Sequence, residues 1–325
     1  MRDRWPALAL AIAGLVSVTP IAAATCPAVP PPVRDLAPPR YYTDTIGSEV
    51  DADLQRRHAE AVAPLKAFLG DVTSMTDRAI RQKDLADTAC ALAWITIWAE
   101  GEAWLGRMGS QQAEYQRKWD LAGAALTYLK LRPHATAAQH AIISPWLVRI
   151  AEQARAFQLA PGRKRNNHRY WLGLALAATA LATDTPGFWD DARQIVADAL
   201  ADIRADGTLP LELERGQRAL HYHAFAVTPL VVLADLAARR GEDWYALSGG
   251  ALHRLVERTA SGLVRPDAFG ALAGAAQERP VRAGAGWLWL YERRFPGRLR
   301  QPLPEVPRRH RWLGGDVALL PLAPL

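Results

Sequence analysis

The chain has 325 residues, of which 39 are basic and 33 acidic, giving a formal net charge of +6. A modest positive charge favours an anionic partner without selecting one. Nucleic acid is disfavoured because the sequence has neither a basic tract nor a recognised binding motif. The length allows one large domain or two smaller ones.

The first 24 residues are typical of a secretory signal peptide. Residues 1–6 carry positive charge, residues 7–16 form an apolar run too short to span a bilayer, and small residues fill positions 22–24. We predict cleavage after Ala24, a periplasmic location with secretion as the alternative, and no later membrane span. A lipid anchor on Cys26 is disfavoured because the residue before it is bulky and polar.

Cys26 and Cys90 are the two cysteines of the chain. In an oxidising compartment such a pair most simply forms one disulfide, and two unpaired thiols are the alternative. The bridge would tie the Pro-rich arm that follows Cys26 to a predicted helix. Closing a loop of this length stabilises the fold by about 4 kcal/mol on the chain-entropy model.

Residues 27–40 contain six prolines and are not predicted to be helical. Beyond them, apolar residues recur three and four positions apart, as in Leu92, Ile95 and Ala99, which indicates α-helices. Gly- or Pro-containing breakers fall at 70–71, 106–109, 132–133, 161–162, 186–187, 206–207 and 240–241. The segments between them run roughly 13 to 25 residues, with too little alternation for strands.

Helices joined by short turns predict an all-α array of hairpins, either a curved solenoid or a closed α/α toroid. The sequence has no fixed-period repeat, which disfavours a consensus solenoid. We expect the Pro- and Arg-rich tail after Pro296 to pack as an irregular strap on the helical body. The prediction is therefore a single helical domain over residues 25–325.

A polar and aromatic stripe lies on one predicted helix. Gln112, Tyr115 and Trp119 recur at helical spacing, with Lys118 beside them. Rings and an amide next to a cation suit sugars that carry carboxylates, so these four residues are candidate substrate-binding residues. The alternative is a helix that buries Tyr115 and Trp119 in the core.

A first polar cluster, Asn166-Asn167-His168-Arg169-Tyr170-Trp171, lies where a basic loop gives way to a helix beginning near Tyr170. Asn166 fits a helix N-cap. A cap alone does not explain the Asn167 and His168 that follow, and a helix N-terminus favours bound anions. This position therefore suits recognition of a carboxylate.

A second polar cluster runs from Arg215 to His223. If this stretch is helical, Arg215 and Tyr222 share one face over two turns. The guanidinium would then stabilise a phenolate and lower the pKa of Tyr222, so that the tyrosine acts first as a base and then as an acid. The alternative is a buried aromatic ring flanked by solvated arginines.

His168, His221 and His223 raise the question of a metal site. Histidines two positions apart point to different faces of a helix, and no carboxylate or cysteine completes a ligand set in the sequence. We therefore expect neither a metal nor another cofactor, and we assign His221 and His223 supporting roles.

These residues resemble the mannuronate-specific alginate lyases of polysaccharide lyase family 5. The first cluster is similar to that family's first active-site motif, and Arg215 with Ala219-Leu220-His221-Tyr222-His223 is similar to its second. The resemblance extends to Tyr41-Tyr42-Thr43-Asp44, to Tyr115 with Arg117-Lys118-Trp119, and to Leu313-Gly314-Gly315-Asp316. It therefore covers most of the predicted mature chain.

The resemblance implies an α/α toroid, an incomplete barrel of antiparallel helix hairpins with a deep substrate cleft, and no required metal. Asn167, His168 and Arg215 would bind and neutralise a uronate carboxylate. Tyr222 would abstract the C5 proton and protonate the oxygen that leaves C4. The region of Tyr42 would form a lid over the cleft and bind substrate.

The sequence thus predicts a monomeric periplasmic lyase that cleaves mannuronate-rich alginate by β-elimination without a cofactor. Two alternatives stay open. One is the same chemistry on another uronate polymer such as glucuronan, and the other is a non-catalytic periplasmic protein that binds an exopolysaccharide.

Overall fold

The computed structural model describes residues 26–279, 285–300 and 305–322, so the predicted signal peptide (residues 1–24) lies outside the described residues. The described chain is mainly helical, as predicted. In chain order the helices are α1 (Ala52–Ala61), α2 (Ala63–Gln82), α3 (Leu85–Glu100), α4 (Gln111–Leu131), α5 (Ala137–Gln158), α6 (Asn167–Thr183), α7 (Pro186–Asp202), α8 (Pro210–Leu213), α9 (Ala219–Arg239), α10 (Leu247–Val264), α11 (Pro266–Ala273) and α12 (Trp287–Arg294). Two-residue strands β1 (Arg309–His310) and β2 (Gly315–Asp316) pair antiparallel in the tail.

Side-chain chemistry fixes the ends of these helices. Ser110 accepts a hydrogen bond from the Ala113 amide at the start of α4, and Thr136 forms a capping box with Gln139 at the start of α5. α6 ends where Asp184 adopts a left-handed φ of 55°. The long helices fall within the predicted lengths, whereas α1, α8, α11 and α12 are shorter than predicted.

The helices form two layers. α2, α4, α6, α9 and α12 contact one another in succession as the inner layer, and α3, α5, α7 and α10 pack against its outer side. Most residues of α4, α6 and α9 are buried, as expected for helices enclosed by neighbouring helices. The result is the predicted incomplete α/α toroid.

The inner helices place the site residues at one end of the toroid. Each outer helix returns the chain to the end where the preceding inner helix began, so α4, α6 and α9 run in the same direction. Their N-terminal turns therefore gather together. Because helix N-termini carry partial positive charge, this end of the toroid attracts anions.

The helix α9 has an apolar composition that reflects its position in the core. Within the described chain, the stretch Gly216–Arg239 is long and apolar enough to cross a membrane, but 83% of its most apolar window is buried inside the protein. A central helix in a folded domain is expected to be buried to this extent.

The proline-rich arm (residues 26–40) is extended and lies along α3. The indole N–H of Trp98 donates to the carbonyl oxygen of Pro30 at 2.8 Å. A disulfide joins Cys26 to Cys90, which are 64 positions apart in sequence. The arm is therefore held to the helical body by both covalent and hydrogen bonds.

The C-terminal tail is more regular than the predicted strap because β1 and β2 form a short hairpin. Arg309 and the amide of Asp316 both donate to Asp77 of α2 at 2.8 and 2.9 Å. Lys130 of α4 donates to the carbonyl oxygen of Gly314 at 2.6 Å. The Leu313–Asp316 motif thus anchors the tail to the inner helices.

Candidate active site

Two cavities, of about 610 Å³ and 410 Å³, lie at the end of the toroid where α4, α6 and α9 begin. Four predicted site residues line both cavities: Tyr42, Gln112, His168 and Tyr222. They mark the junction between the two spaces. Residues from four separate segments, including both polar clusters, therefore meet in one cleft.

The first cavity has a largely aromatic wall. Besides tyrosine and histidine rings, the wall contains four tryptophans and a phenylalanine from four helices and the tail: Trp119, Trp171, Phe225, Trp287 and Trp312. Trp119 and Trp312 stack with their ring centroids 4.8 Å apart. This wall offers broad apolar surface, and the cations Arg56, Lys66 and Arg311 also line the cavity.

The second cavity is smaller and is also lined by basic residues, with Glu214 as the one carboxylate among the described residues of its wall. Its basic residues are Arg40, Arg163, Lys164 and Arg215. Tyr115 and the helix cap Asn166 line it as well. The set suits a negatively charged ligand. The predicted stripe is therefore divided, with Trp119 at the first cavity, Tyr115 at the second and Gln112 at both.

Tyr222 lies in the first turn of α9, and its hydroxyl points to the segment that covers the cleft. It donates to the Tyr42 hydroxyl at 2.9 Å and to the Gly47 carbonyl at 3.2 Å. The guanidinium carbon of Arg215 lies 4.5 Å from the centre of the Tyr222 ring, and that of Arg218 lies 5.6 Å away. Two cations therefore flank one buried phenol.

The second cluster is not one continuous α-helix. Arg215 precedes a 3₁₀ turn over Gly216–Arg218, and α9 begins only at Ala219. The predicted contact between Arg215 and Tyr222 nevertheless exists, because the tighter turn brings the guanidinium over the ring.

The prediction that Tyr222 has a lowered pKa is wrong for this arrangement. Burial raises the pKa of Tyr222 above its ordinary value, and the neighbouring Tyr42 hydroxyl, by charge and by hydrogen bond, raises it further. Arg215 and Arg218 lower the pKa of Tyr222, as predicted, but by less. The phenol is therefore neutral in this structure.

A lid segment (residues 41–51) covers the junction of the cavities. The carboxylate of Asp44 accepts from the backbone amides of Gly47 and Ser48, each at 2.9 Å, and so shapes the turn. Arg215 donates to the carbonyl oxygen of Ile46, and Arg218 donates to the Tyr42 hydroxyl at 2.8 Å. The lid is thus held by the residues that flank Tyr222.

His168 lies in the first turn of α6, which begins at Asn167, three residues earlier than predicted. The cause is the predicted Asn166 cap, whose side chain accepts from the His168 amide at 3.1 Å. The imidazole stacks on the Tyr115 ring with centroids 3.6 Å apart. Tyr115 thus holds one face of the His168 imidazole in place, while His168 still lines both cavities.

Lys118 was predicted to bind substrate, but it lines neither cavity. Its side chain is 1% exposed, and its ammonium lies 3.2 Å from Nδ1 of His168. The reason is that α4 is enclosed on all sides, so this position faces the neighbouring helix α6. Lys118 therefore contacts the site residue His168 from the protein interior.

Asn167 is also withdrawn from the cavities, and its partner was missed by sequence reasoning. Glu212 is fully buried and accepts from the backbone amide of Asn167 at 2.7 Å and from its side-chain amide at 2.9 Å. The same carboxylate lies 3.7 Å from the Arg215 guanidinium. Glu212 therefore links the two polar clusters; its position three residues before Arg215 was the available signal.

The remaining histidines differ in position. His223 is buried, with Nε2 accepting from the Leu209 amide at 2.9 Å and Nδ1 lying 2.8 Å from the Ala219 carbonyl, so it fixes the turn before α9. His221 lines the first cavity. Among the described residues, no group of three His, Cys, Asp or Glu side chains is placed to hold a metal ion.

Comparison with known proteins gives consistent matches. Residues 36–269 match the family model described as "Alginate lyase". A protein of Stenotrophomonas maltophilia named "Polysaccharide lyase" is 41% identical over 318 residues, covering 96% of each chain. An "Alginate lyase" of Azotobacter vinelandii is 30% identical over 312 residues, covering 91% of this chain and 83% of the relative.

Two solved structures share the fold. Alginate lyase A1-III from Sphingomonas species A1 superposes with a TM-score of 0.77 at 24% identity, covering 92% of this chain and 86% of that one. A variant of A1-III in complex with a tetrasaccharide gives a TM-score of 0.80 at 23% identity over the same shares of each chain. At this identity the likeness supports the helical toroid.

Proposed function

Because this chain belongs to the alginate lyase family, we propose that it cleaves alginate by β-elimination at mannuronate units. The observation that carries the proposal is the meeting of Tyr222, Arg215 and His168 at the junction of two cavities. A proton-transfer group and carboxylate-binding groups together are what elimination next to a carboxylate requires.

The chemistry begins with the uronate carboxylate. Arg215 and His168 bind this carboxylate at the second cavity and neutralise its charge. Asn167 and Glu212 hold Arg215 in place. Neutralisation makes the adjacent C5–H acidic enough to lose a proton to the Tyr222 oxygen. Without it, a phenolate is far too weak a base.

The bonds that break and form in the elimination are then as follows. The electron pair of the C5–H bond forms the C4–C5 double bond, and the C4–O bond to the neighbouring sugar breaks. Tyr222 returns its proton to that leaving oxygen. In mannuronate the C5 hydrogen and the C4 oxygen lie on the same face of the ring, so a single residue serves both steps.

Substrate entry also prepares the base. In the structure the Tyr222 hydroxyl is engaged by Tyr42 and Gly47 of the lid segment. A sugar that enters the junction displaces these contacts, which removes the hydrogen bond to Tyr42 that raises the pKa of Tyr222. We propose that lid opening and sugar binding together lower this pKa, so that the Tyr222 hydroxyl releases its proton to solvent and its phenolate oxygen accepts the C5 proton.

Glucuronan is the second candidate substrate. Glucuronate has the same configuration as mannuronate at C4 and C5 and differs at C2, so the reacting face is shared. The relative with 41% identity is named only as a polysaccharide lyase. Residues that contact C2 of the sugar would decide between the two polymers.

A substrate panel tests the proposal. Purified enzyme is mixed with polymannuronate, polyguluronate or glucuronan, and the ultraviolet absorbance of the unsaturated uronate is followed. We expect it to rise with polymannuronate and to stay flat with polyguluronate, whose inverted C5 turns the hydrogen away from Tyr222. A rise with glucuronan alone would reassign the substrate, and binding without any rise would favour the non-catalytic alternative.

Tyr222→Phe tests the role of the phenol. We expect kcat on polymannuronate to fall by about 10³-fold, within the range for loss of a general acid–base group. Tyr128→Phe is the matched control, since Tyr128 is buried on α4 and bonds to His140 outside both cavities. Wild-type turnover in Tyr222→Phe would exclude the proposed mechanism.

Location and assembly complete the proposal. We propose that residues 1–24 direct export, that residues 25–325 act as one domain, and that the enzyme works as a monomer in the periplasm. The mass of the protein recovered from a periplasmic extract tests export, because cleavage after Ala24 fixes the expected value.

A further inference from the structure

Lys118 is a buried lysine whose position the proposed chemistry has not yet used. Among the described residues its ammonium forms no salt bridge, and Glu114, whose charge acts on it, pairs with Arg117. Its hydrogen-bond partner is Nδ1 of His168 at 3.2 Å. A fully buried polar group kept without a counter-ion indicates a specific task.

The surroundings hold this amine in one place. It lies 4.2 Å from the centre of the Tyr115 ring and 4.6 Å from that of Trp119, so two aromatic faces accommodate its charge. The imidazole of His168 stacks on the same Tyr115 ring. Lys118, Tyr115 and His168 therefore form one fixed unit between α4 and α6.

The hydrogen bond determines which nitrogen of His168 carries the proton. Burial holds the pKa of Lys118 well below its ordinary range. In the charged form that the two aromatic rings accommodate, Lys118 has three donors and no acceptor, so Nδ1 of His168 accepts from it. A neutral imidazole that accepts at Nδ1 carries its hydrogen on Nε2. No described residue forms a hydrogen bond with Nε2, and the ring lines both cavities.

We infer that Lys118 is a positioning residue that fixes His168 as the neutral Nε2–H tautomer, so that His168 donates to the substrate carboxylate and has no free lone pair with which to act as a base. This inference rests on the proposed function. With His168 neutral and unable to accept a proton, Tyr222 is the base at the junction. Arg215 is then the residue that brings a positive charge to the substrate carboxylate.

Electrostatics agree with this geometry. Burial, followed by the charges of Lys118, Arg215 and Arg163, holds the pKa of His168 well below its ordinary range. These cations reach the imidazole from α4, from the turn before α9 and from the loop before α6, and the Tyr115 and Tyr222 phenols face it from α4 and α9. Burial also lowers the pKa of Lys118, and the charge of Glu114 offsets this lowering only in part.

The test uses ¹⁵N-histidine-labelled full-length protein without substrate, with the His168 signals assigned from a His168→Gln variant. We expect Nδ1 in the unprotonated range and Nε2 in the protonated range across about pH 5 to pH 8. A proton on Nδ1 in the wild-type protein would overturn the inference. Because this readout needs no turnover, it stands apart from the fate of the proposed function.

Lys118→Met separates positioning from mere packing. We expect the His168 signals to titrate at higher pH than in wild type, a share of the Nδ1–H tautomer to emerge, and kcat to fall about tenfold to hundredfold with little change in KM. A folded variant with wild-type kcat and tautomer would contradict the inference. Lys83→Met, which removes an exposed lysine at the end of α2, controls for the loss of one charge.

Lys118→Gln keeps a donor without the charge. We expect it to retain the Nε2–H tautomer and more of the wild-type kcat than Lys118→Met does. If glutamine restores neither, Lys118 does not act through a hydrogen bond to Nδ1. If Lys118→Met does not fold, the wild-type spectrum and the glutamine variant still decide the question.

Discussion

One hydrogen bond joins two tyrosine hydroxyls at the centre of the cleft. Burial, followed by the charge of Tyr42 and the hydrogen bond to it, outweighs the two arginines and raises the pKa of Tyr222. A base works only when deprotonated, so a raised pKa moves the reactive form to higher pH. We therefore expect kcat/KM, which reports the free enzyme, to increase with pH on the alkaline side.

Tyr42→Phe tests this competition. Removing the Tyr42 hydroxyl removes two contributions that raise the pKa of Tyr222 and leaves those of Arg215 and Arg218, which lower it. The rise of kcat/KM should therefore move to lower pH, as measured by the pH profile at polymannuronate concentrations well below KM, which reports the pKa of the free enzyme. Tyr41→Phe is the control, because the Tyr41 hydroxyl contacts Tyr42 rather than Tyr222; an unmoved Tyr42→Phe profile would refute the account.

For single residues, the sequence predicted which side chains lie near the cleft better than it predicted the directions in which they point. His168, Arg215 and Tyr222 were predicted and do line the cleft. Lys118 and Asn167 were assigned to substrate contact, yet both point into the protein. Helical spacing gives the relative directions of side chains on one helix, but it does not say which direction a neighbouring helix will cover.

The lid segment is the element that closes the cleft, and its turn depends on a glycine. Gly47 has a φ of +75°, and a Cβ there would lie 2.9 Å from the Arg215 guanidinium and 3.2 Å from the Tyr222 oxygen. The backbone of the lid can approach these groups only because Gly47 has no side chain.

Gly47→Ala should therefore impair turnover more than folding. We expect kcat/KM to fall about tenfold, because strain and crowding displace the lid from Arg215 and Tyr222. Gly241→Ala is the matched control, with a φ of +80° and open space around its Cβ, so it carries similar backbone strain away from the cleft. Equal losses of kcat/KM in the two variants would mean that the lid contact is irrelevant.

Helix positions followed from the sequence because breakers and caps act locally. Ser110 and Asn166 cap α4 and α6 through bonds to nearby amides, so their effect is readable from a few residues. The 3₁₀ turn at Gly216–Arg218 was not predicted, because contacts with the distant lid, such as Gln217 to the Ser48 carbonyl, help to hold it. Long-range contacts of this kind leave no local signature.

For the whole molecule, one covalent link secures the arm from which the lid extends. The disulfide of Cys26 and Cys90 closes a loop of 64 positions that contains the arm, the lid segment and α1. In the chain-entropy model such a link stabilises the fold by about 4 kcal/mol, since it restricts the unfolded chain.

Replacing both cysteines by alanine should lower the free energy of unfolding by about 4 kcal/mol. Urea unfolding followed by circular dichroism measures the change, and the wild-type protein under reducing conditions should show a similar loss. An unchanged urea midpoint in both experiments would exclude a stabilising role for the disulfide.

The toroid itself was predictable as a class, since helical spacing and short turns predict stacked hairpins. The choice between an open solenoid and a toroid needed the family resemblance, because spacing alone does not report curvature. The meeting of residues 54 positions apart, from His168 to Tyr222, likewise depended on the resemblance.

The position of the reacting residues between two cavities has a practical consequence for the proposed function. If sugar units on both sides of the scissile bond occupy the two cavities, the proposed lyase binds the polymer at any point along its length and does not have to begin at an end. Each internal cut shortens the chain drastically. A gel-like polymannuronate solution would therefore become thin and free-flowing while most of its linkages were still intact.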